Sequence, residues 1–182
     1  IQGLRADADD SIEDSVSTIN DSLNAIAALN SQIATAQGRG ESTADLEDQR
    51  NTALQSLSEQ MDVRYYVTSE NQMRITTTSG TTLLDSSVHE LSYSSAATVT
   101  SATVFDAITV KGEDITSQLG SGTLGALVEQ RDTVLPAAQA ELDELATALI
   151  ATLNSIHNAG SSLPPPSTLT GSTTLSASDA FS

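Results

Sequence analysis

The chain has 182 residues, with 24 acidic against 7 basic side chains, a formal charge of −17 and no cysteine. The missing cysteines exclude disulfides and thiolate metal sites. The charge argues against a nucleic-acid surface, which needs clustered Lys and Arg, and against binding to an anionic membrane. Aromatic residues make up only 3% of the chain, so the core must be aliphatic, which suits long helices better than a deep ligand pocket.

The first predicted element is a helix over residues 1–37. Its apolar side chains recur three and four residues apart, the heptad pattern of a coiled-coil seam. The seam residues are Ile12, Val16, Ile19, Leu23, Ile26 and Ile33. Asn30 falls on the seam, where a buried polar residue can fix the register of two helices; a wet or frayed position fits equally well. The acids between Asp7 and Asp14 suit a helix N-terminal end or a solvated face.

A second helix is predicted to follow a short loop, so that residues 1–62 form a helical hairpin. The glycines at 38 and 40 end the first helix. Ser42, three residues before Asp45, is predicted to be the N-cap of the second helix. That helix runs to about residue 61, with Leu54 and Leu57 on its apolar face.

Residues 63–119 change to a period of two and predict an antiparallel β region. The clearest strands lie at 63–67, 73–75 and 82–84, separated by Ser, Asn and Gly turns. Weaker strand candidates lie at 89–93, 98–100 and 104–110. We expect a small sheet or sandwich with one wet face.

Residues 120–160 predict one long helix that returns to the first. Its stripe contains Leu135, Leu142, Leu145, Leu149 and Ile156, and a lone helix with such a stripe needs a partner. Pro136 should kink this helix. Residues 161–182, rich in Pro, Ser, Thr and Gly, read as a linker or the start of a missing domain.

The predicted fold class is therefore α+β: an antiparallel long-helix bundle or coiled-coil stalk with an inserted small antiparallel β region. The first residue is Ile1, which suggests a fragment of a longer protein. No apolar run is long enough to span a bilayer.

Reactive chemistry is weakly indicated. Residues 120–125 match the dinucleotide motif G-x-G-x-x-G, but no second strand follows the helix, so a turn that opens a helix is favoured. His89 and His157 are far apart in the sequence, and no G-x-S-x-G motif is present. Zinc would need three or four ligands, and the chain can supply only His and carboxylate side chains. We predict no catalytic residue, no cofactor and no specific metal site.

Arg50 and Arg131 lie on or beside apolar stripes, in the similar contexts Glu-Asp-Gln-Arg-Asn and Glu-Gln-Arg-Asp. With Asn30, they are candidates for polar contacts between helices. An Arg there could form a bidentate pair with a carboxylate. A surface Arg that lies along the apolar stripe fits the pattern equally well.

Three blocks resemble the flagellar hook-associated protein 1 family, the first junction protein between bacterial hook and filament. They are the D-L-E-D-Q-R run at 45–50 with M-D-V-R at 61–64, the G-T-L-G-A-L run at 122–127 with R-D and V-L-P, and N-x-x-H-x-x-G at 154–160. The early residues 19–20 and 26–33 also fit. Together the matches span most of residues 5–160, whereas residues 161–166 depart from the family pattern.

The resemblance implies an extracellular structural protein, exported unfolded through the flagellar secretion apparatus. The partners it implies are other copies of the chain, hook protein, the second junction protein and an export chaperone for the full-length protein. A flagellin-like filament subunit or another extracellular coiled-coil protein is the alternative, and a nucleotide-binding enzyme a remote one.

Overall fold

The computed structural model describes residues 1–159. Residues Gln2–Thr133 form one compact unit, and Ile1 with the described residues 134–159 belongs to another. The helices are α1 (Gln2–Gly38), α2 (Ala44–Gln60), α3 (Gly122–Glu129) and α4 (Leu135–Ala159). The strands are β1 (Val63–Val67), β2 (Met73–Thr77), β3 (Thr82–Leu84), β4 (Leu91–Ser92), β5 (Thr109–Val110) and β6 (Glu113–Asp114).

Long helices and small antiparallel sheets make the fold α+β, as predicted. One sheet has the order β1-β2-β3 and the other β4-β5-β6, with every pair antiparallel. The β1–β2 hairpin pairs Val63 with Thr77 and Val67 with Met73. Asn71, in the turn between them, has φ +58°, a left-handed conformation that Asn tolerates better than most residues.

The core of the larger unit forms around the apolar stripe of α1. Ile12, Ile19, Leu23 and Ile26 are fully buried there. They share one cluster with Leu57 and Met61 at the end of α2, with the inner residues of both sheets, and with Leu124 of α3. The stripe of α1 therefore buries itself within Gln2–Thr133. The pairing of the first helix with the last remains a prediction.

The predicted helix over 120–160 differs from the structure at its start and just before Pro136, the residue predicted to kink it. It begins at Gly122, and a π-helical turn, Gln130–Val134, separates α3 from α4. Pro136 accounts for the interruption, because it has no N–H for the preceding turn and its ring crowds the carbonyl four residues back. Gly160 and the predicted linker 161–182 lie outside the described residues.

Other boundaries differ from the predictions, and in the β region side chains compete for backbone groups. Ser42 is not the N-cap of α2; Thr43 occupies that position without a side-chain cap bond, and its hydroxyl donates to Glu47 at 2.7 Å. The weak strand at 98–100 is absent, since the Thr100 N–H donates to the Thr103 hydroxyl at 2.8 Å. Strand 104–110 shrinks to β5, and β6 was not predicted.

Candidate functional site

Arg131 and Asp9 form a buried ion pair between the π-helical turn and α1. Their side chains are 2% and 1% exposed, and Arg131 Nη1 lies 2.7 Å from Asp9 Oδ1. The other edge of the guanidinium is held by the Asp132 carboxylate, at 2.8 Å from Nε and 2.9 Å from Nη2. Burial alone would lower the pKa of Arg131, but the hydrogen bonds to Asp132 and Asp9 outweigh it and raise that pKa.

Two aromatic rings complete this Arg131 site. The Tyr93 hydroxyl donates to Asp9 and accepts from Arg131. Burial and the bond to Asp9 raise the pKa of Tyr93, so the phenol stays neutral. The Phe105 ring centroid lies 4.2 Å from the Arg131 guanidinium carbon and 5.0 Å from that of Arg5, distances at which cation–π attraction operates.

Arg5 ties the π-helical turn to the first helix and a loop. Its Nε donates to the Arg131 carbonyl at 3.3 Å, and its Nη1 donates to the Thr100 carbonyl at 3.1 Å. The Arg131 carbonyl lies five residues before Pro136, which has no N–H to offer it. Arg5 therefore supplies a donor where the helix cannot.

Arg50 is the centre of a second buried network, the Arg50 site. Its Nη1 donates to Asn30 Oδ1 at 2.9 Å and to the Asn71 carbonyl at 2.7 Å, and its Nη2 donates to Asn71 Oδ1 at 2.9 Å. Asn71 in turn donates to Glu47 at 2.8 Å. Burial lowers the pKa of Arg50, and hydrogen bonds from Thr43 and Asn71 lower the pKa of Glu47. This site joins α1, α2 and the β1–β2 turn.

Two asparagines of α1 each bind the backbone of one strand residue in the manner of a neighbouring strand. Asn30 donates to the Met73 carbonyl at 2.9 Å and accepts from its N–H at 3.0 Å. Asn20 makes the same two contacts with Leu91, both at 2.9 Å. One helix thus anchors both sheets, because each asparagine supplies one donor and one acceptor.

The glycines of the G-x-G-x-x-G stretch serve packing. Gly122 has φ +73°, and a Cβ there would lie 2.5 Å from the carbonyl oxygen of Gln60. A Cβ on Gly125 would lie 2.8 Å from the carbonyl oxygen of Leu119. Gly122 therefore allows the start of α3 to contact the end of α2, where Thr123 also donates to the Glu59 carbonyl at 3.0 Å, and Gly125 allows α3 to pack on the segment that precedes it. No strand follows α3, so the dinucleotide arrangement does not arise among the described residues.

The histidines occupy unrelated positions. His89 Nε2 lies 3.3 Å from Asp85 Oδ2. The N–H of Ser87 and then His89 lower the pKa of Asp85 well below its usual range. The nearby hydroxyls of Ser86 and Ser87 donate to Asp85 and not to His89, so they do not form a nucleophile–base pair. His157 lies in the last turn of α4.

The predicted seam residues fall into two groups. Those of α1 and α2 are buried: Ile12, Val16, Ile19, Leu23, Ile26, Ile33, Leu54 and Leu57. On α4, Leu135 is 8% exposed, whereas Leu142, Leu145, Leu149 and Ile156 are between 48% and 66% exposed. Over residues 1–159 we find neither a helix able to cross a membrane nor a group of three acidic or His side chains placed to hold a metal.

The sequence pattern indicates Asn30, Arg50 and Arg131, and the first two are partners of each other, but it does not indicate the partners of Arg131. Arg5 and Asp9 lie on the backward extension of the α1 stripe, at seven and three residues before Ile12. A charged pair on an apolar stripe is the signal that could have indicated them. Tyr93 and Phe105 carry no comparable signal, because their loop has no regular period.

A family model described as the flagellar hook-associated protein FlgK helical domain matches residues 1–170. The fold is similar to that of the flagellar hook junction protein FlgK from Burkholderia pseudomallei, with 25% sequence identity and a TM-score of 0.67. That alignment covers 90% of this chain and 30% of the other, so the chain spans about a third of the length of that protein. A search of curated proteins found no match.

Proposed function

The chain belongs to the family of the flagellar hook-associated protein FlgK helical domain, and we propose that it is a structural segment of the hook–filament junction of the bacterial flagellum. It would act by subunit–subunit packing and without catalysis. The family match over residues 1–170 carries this proposal. The likeness to a hook junction protein over 90% of the chain supports it.

The two arginine networks support a role as a rigid structural part. Arg131, Arg50 and Asp9 are at most 3% exposed. Except for Arg50 Nε, which is buried without a partner, their side-chain polar atoms bind protein groups, most of which belong to other helices, turns and loops. A buried charge that is paired and hydrogen-bonded favours one arrangement of the elements, because breaking the pair is costly. A subunit that transmits torque benefits from such rigid joints.

The exposed stripe on α4 supports assembly. Leu145, Leu149 and Ile156 are 65%, 56% and 66% exposed, and Leu142 and Leu153 continue the stripe at helical spacing. Contiguous exposed apolar surface of this kind marks an interaction site. We propose that another helix of the assembled flagellum, from this protein or a neighbour, covers the stripe.

The proposed partners are other copies in the axial polymer, hook protein on one side and the second junction protein on the other. The full-length protein would be exported by the flagellar secretion apparatus with an export chaperone and would act outside the cell.

The test is deletion of the full-length gene followed by electron microscopy and a motility assay. Cells with intact hooks but no filaments, rescued by the wild-type gene, are the expected result. Normal filaments in the deletion strain would refute the junction role.

A matched pair of variants tests the stripe. Leu145→Glu with Leu149→Glu should fail to restore filaments, because it places charge on the stripe. Thr147→Glu with Ala151→Glu makes the same changes four residues apart at exposed positions outside the stripe and should rescue. Equal rescue by both pairs would contradict the proposed role of the stripe.

A further inference from the structure

The β1–β2 hairpin displays aromatic side chains that its own unit leaves uncovered. Tyr65 and Tyr66 are 55% and 61% exposed, in a chain that has only three tyrosines and two phenylalanines. They lie on β1, which is an edge strand of its sheet. Tyrosine and arginine are the residues that most often dominate binding energy at protein interfaces.

Strand register places two arginines beside one of these rings. Tyr66 is opposite Arg74 and Arg64 is opposite Thr76, so Arg64, Tyr66 and Arg74 share one side of the hairpin. We name these three residues the hairpin face. Its two arginines are diagonal neighbours, with backbones ~7–8 Å apart. Within residues 1–159 neither arginine forms an ion pair.

The hairpin face is unusual because the chain has so few cations. Of the 7 basic residues, Arg5, Arg50 and Arg131 are buried in the networks described above. The hairpin face holds two of the four that remain. The rest of the surface is dominated by carboxylates. An acidic partner would be attracted to the hairpin face, and a second copy of this chain is such a partner.

One surface complements it in both charge and spacing. Four exposed aspartates, which we name the acidic stripe, follow one side of α1: Asp7, Asp10, Asp14 and Asp21. At ~1.5 Å per residue, Asp10 and Asp14 are ~6 Å apart along the helix, a separation that two long arginine side chains span easily. Like charges four residues apart destabilise a helix, so a cationic partner would relieve their repulsion.

The two surfaces point away from each other within one molecule. At ~100° per residue, the acidic stripe lies about half a turn from the apolar stripe that includes Ile12 and Ile19. That apolar stripe packs on the inner side of the sheet, where Met73 and Ile75 are buried. The hairpin face is the opposite side of the same strands. Arg74 also lines a pocket beside residues 27–34 of α1, but Ala27 lies ~20 Å along the helix from Asp14. Contact between Arg74 and Asp10 or Asp14 therefore requires a second copy.

We propose that the hairpin face of one copy docks on the acidic stripe of a second copy. This contact joins two different patches, and such heterologous contacts generate rings or helical arrays. The proposal rests on the axial assembly proposed above and assigns one of its contacts. It is measured on the purified chain, so its failure would leave the junction role standing.

The test uses two charge-reversed variants of the 182-residue chain and sedimentation velocity at low salt. Arg64→Glu with Arg74→Glu reverses the hairpin face, and Asp10→Lys with Asp14→Lys reverses the acidic stripe. Each variant alone should associate on the order of tenfold or more weakly than wild type, because attraction becomes repulsion at two charge pairs. A 1:1 mixture should associate again, since each variant then finds a complementary surface on the other.

Arg39→Glu with Lys111→Glu is the matched control, because it changes the net charge equally at other sites and should associate as wild type does. Arg64→Glu alone, at an exposed position, guards against misfolding of the double variant, and circular dichroism checks every chain. Three results would overturn the proposal: a wild-type chain that stays monomeric at about 1 mM, charge-reversed variants that associate like wild type, or a mixture that does not recover.

Discussion

The tight contact between α2 and α3 can be tested by adding a single methyl group at four glycines. Gly122 combines a positive φ of +73° with a Cβ position 2.5 Å from the Gln60 carbonyl oxygen. Gly80 has φ +99° and open space, Gly125 has a crowded Cβ position only, and Gly120 has neither. Substitution of each by alanine thus separates backbone strain from steric clash.

The magnitudes follow from those two terms. A left-handed conformation costs an L-residue ~1–2 kcal/mol, and overpacking against fixed backbone costs ~1–3 kcal/mol. We expect Gly80→Ala to lose the first amount, Gly125→Ala the second and Gly122→Ala their sum, roughly 2–5 kcal/mol. Gly120→Ala should stay within ~0.5 kcal/mol of wild type. Alanine also lowers the entropy of the unfolded chain, but this effect is common to all four variants.

The assay is urea unfolding followed by circular dichroism, with the free energy of unfolding taken from the linear extrapolation. A Gly122→Ala variant that is no less stable than Gly80→Ala would show that the close contact with α2 is absent. A Gly120→Ala variant as damaged as Gly122→Ala would refute the whole reasoning. A bound dinucleotide would instead appear as ligand-dependent stability of the wild type, lost in Gly122→Ala.

Three further predictions use the same unfolding assay. Asp9→Ala should cost ~3 kcal/mol, because it leaves a buried guanidinium with one carboxylate partner instead of two; the exposed neighbour Asp10→Ala should change little, and equal losses would contradict the pairing. Asn30→Ala should cost ~2–4 kcal/mol, since it leaves the buried N–H and carbonyl of Met73 without their partners and removes one of the acceptors of Arg50; full stability would show that water replaces the amide. The folded-state pKa of Asp85 is lowered, so the stability that its carboxylate contributes is fully present above the unfolded pKa of ~3.9 and is lost as the pH falls further. Asp85→Asn should therefore be less stable than wild type near pH 7, and the difference in the free energy of unfolding should shrink below about pH 4. A difference independent of pH would contradict this.

The asparagines of α1 show how far a local pattern reaches. The heptad spacing placed Asn30 on a buried stripe, and a polar contact between helices was one of two interpretations left open. The structure pairs it with Arg50 of α2 and with the backbone of a strand 43 residues away. Asn20, which lies at the edge of the same stripe, was not selected, although it performs the same task for Leu91.

The contacts of the Arg131 site could not be predicted from the local sequence pattern. Its ion pair joins residues 122 positions apart, and Phe105 reaches it from a loop with no regular secondary structure. Local propensity cannot predict such partners, because the energy of the contact depends on where several elements meet. The shortened strands have a similar origin: the hydroxyls of Thr103 and Thr116 accept from the N–H groups of Thr100 and Ile108, which a longer strand ladder would have used.

The amino-acid sequence by itself determined the two long helices, their apolar stripes, the first antiparallel strands and the family resemblance, because helix and strand periods and continuous motifs are local properties. Only the tertiary structure decided that the charged pair Arg131 and Asp9 is internal and that Gly122 and Gly125 serve close packing. It also decided that the leucines of α4 from Leu142 onward, with Ile156, lie exposed. Those outcomes depend on burial, and burial is a property of the folded chain.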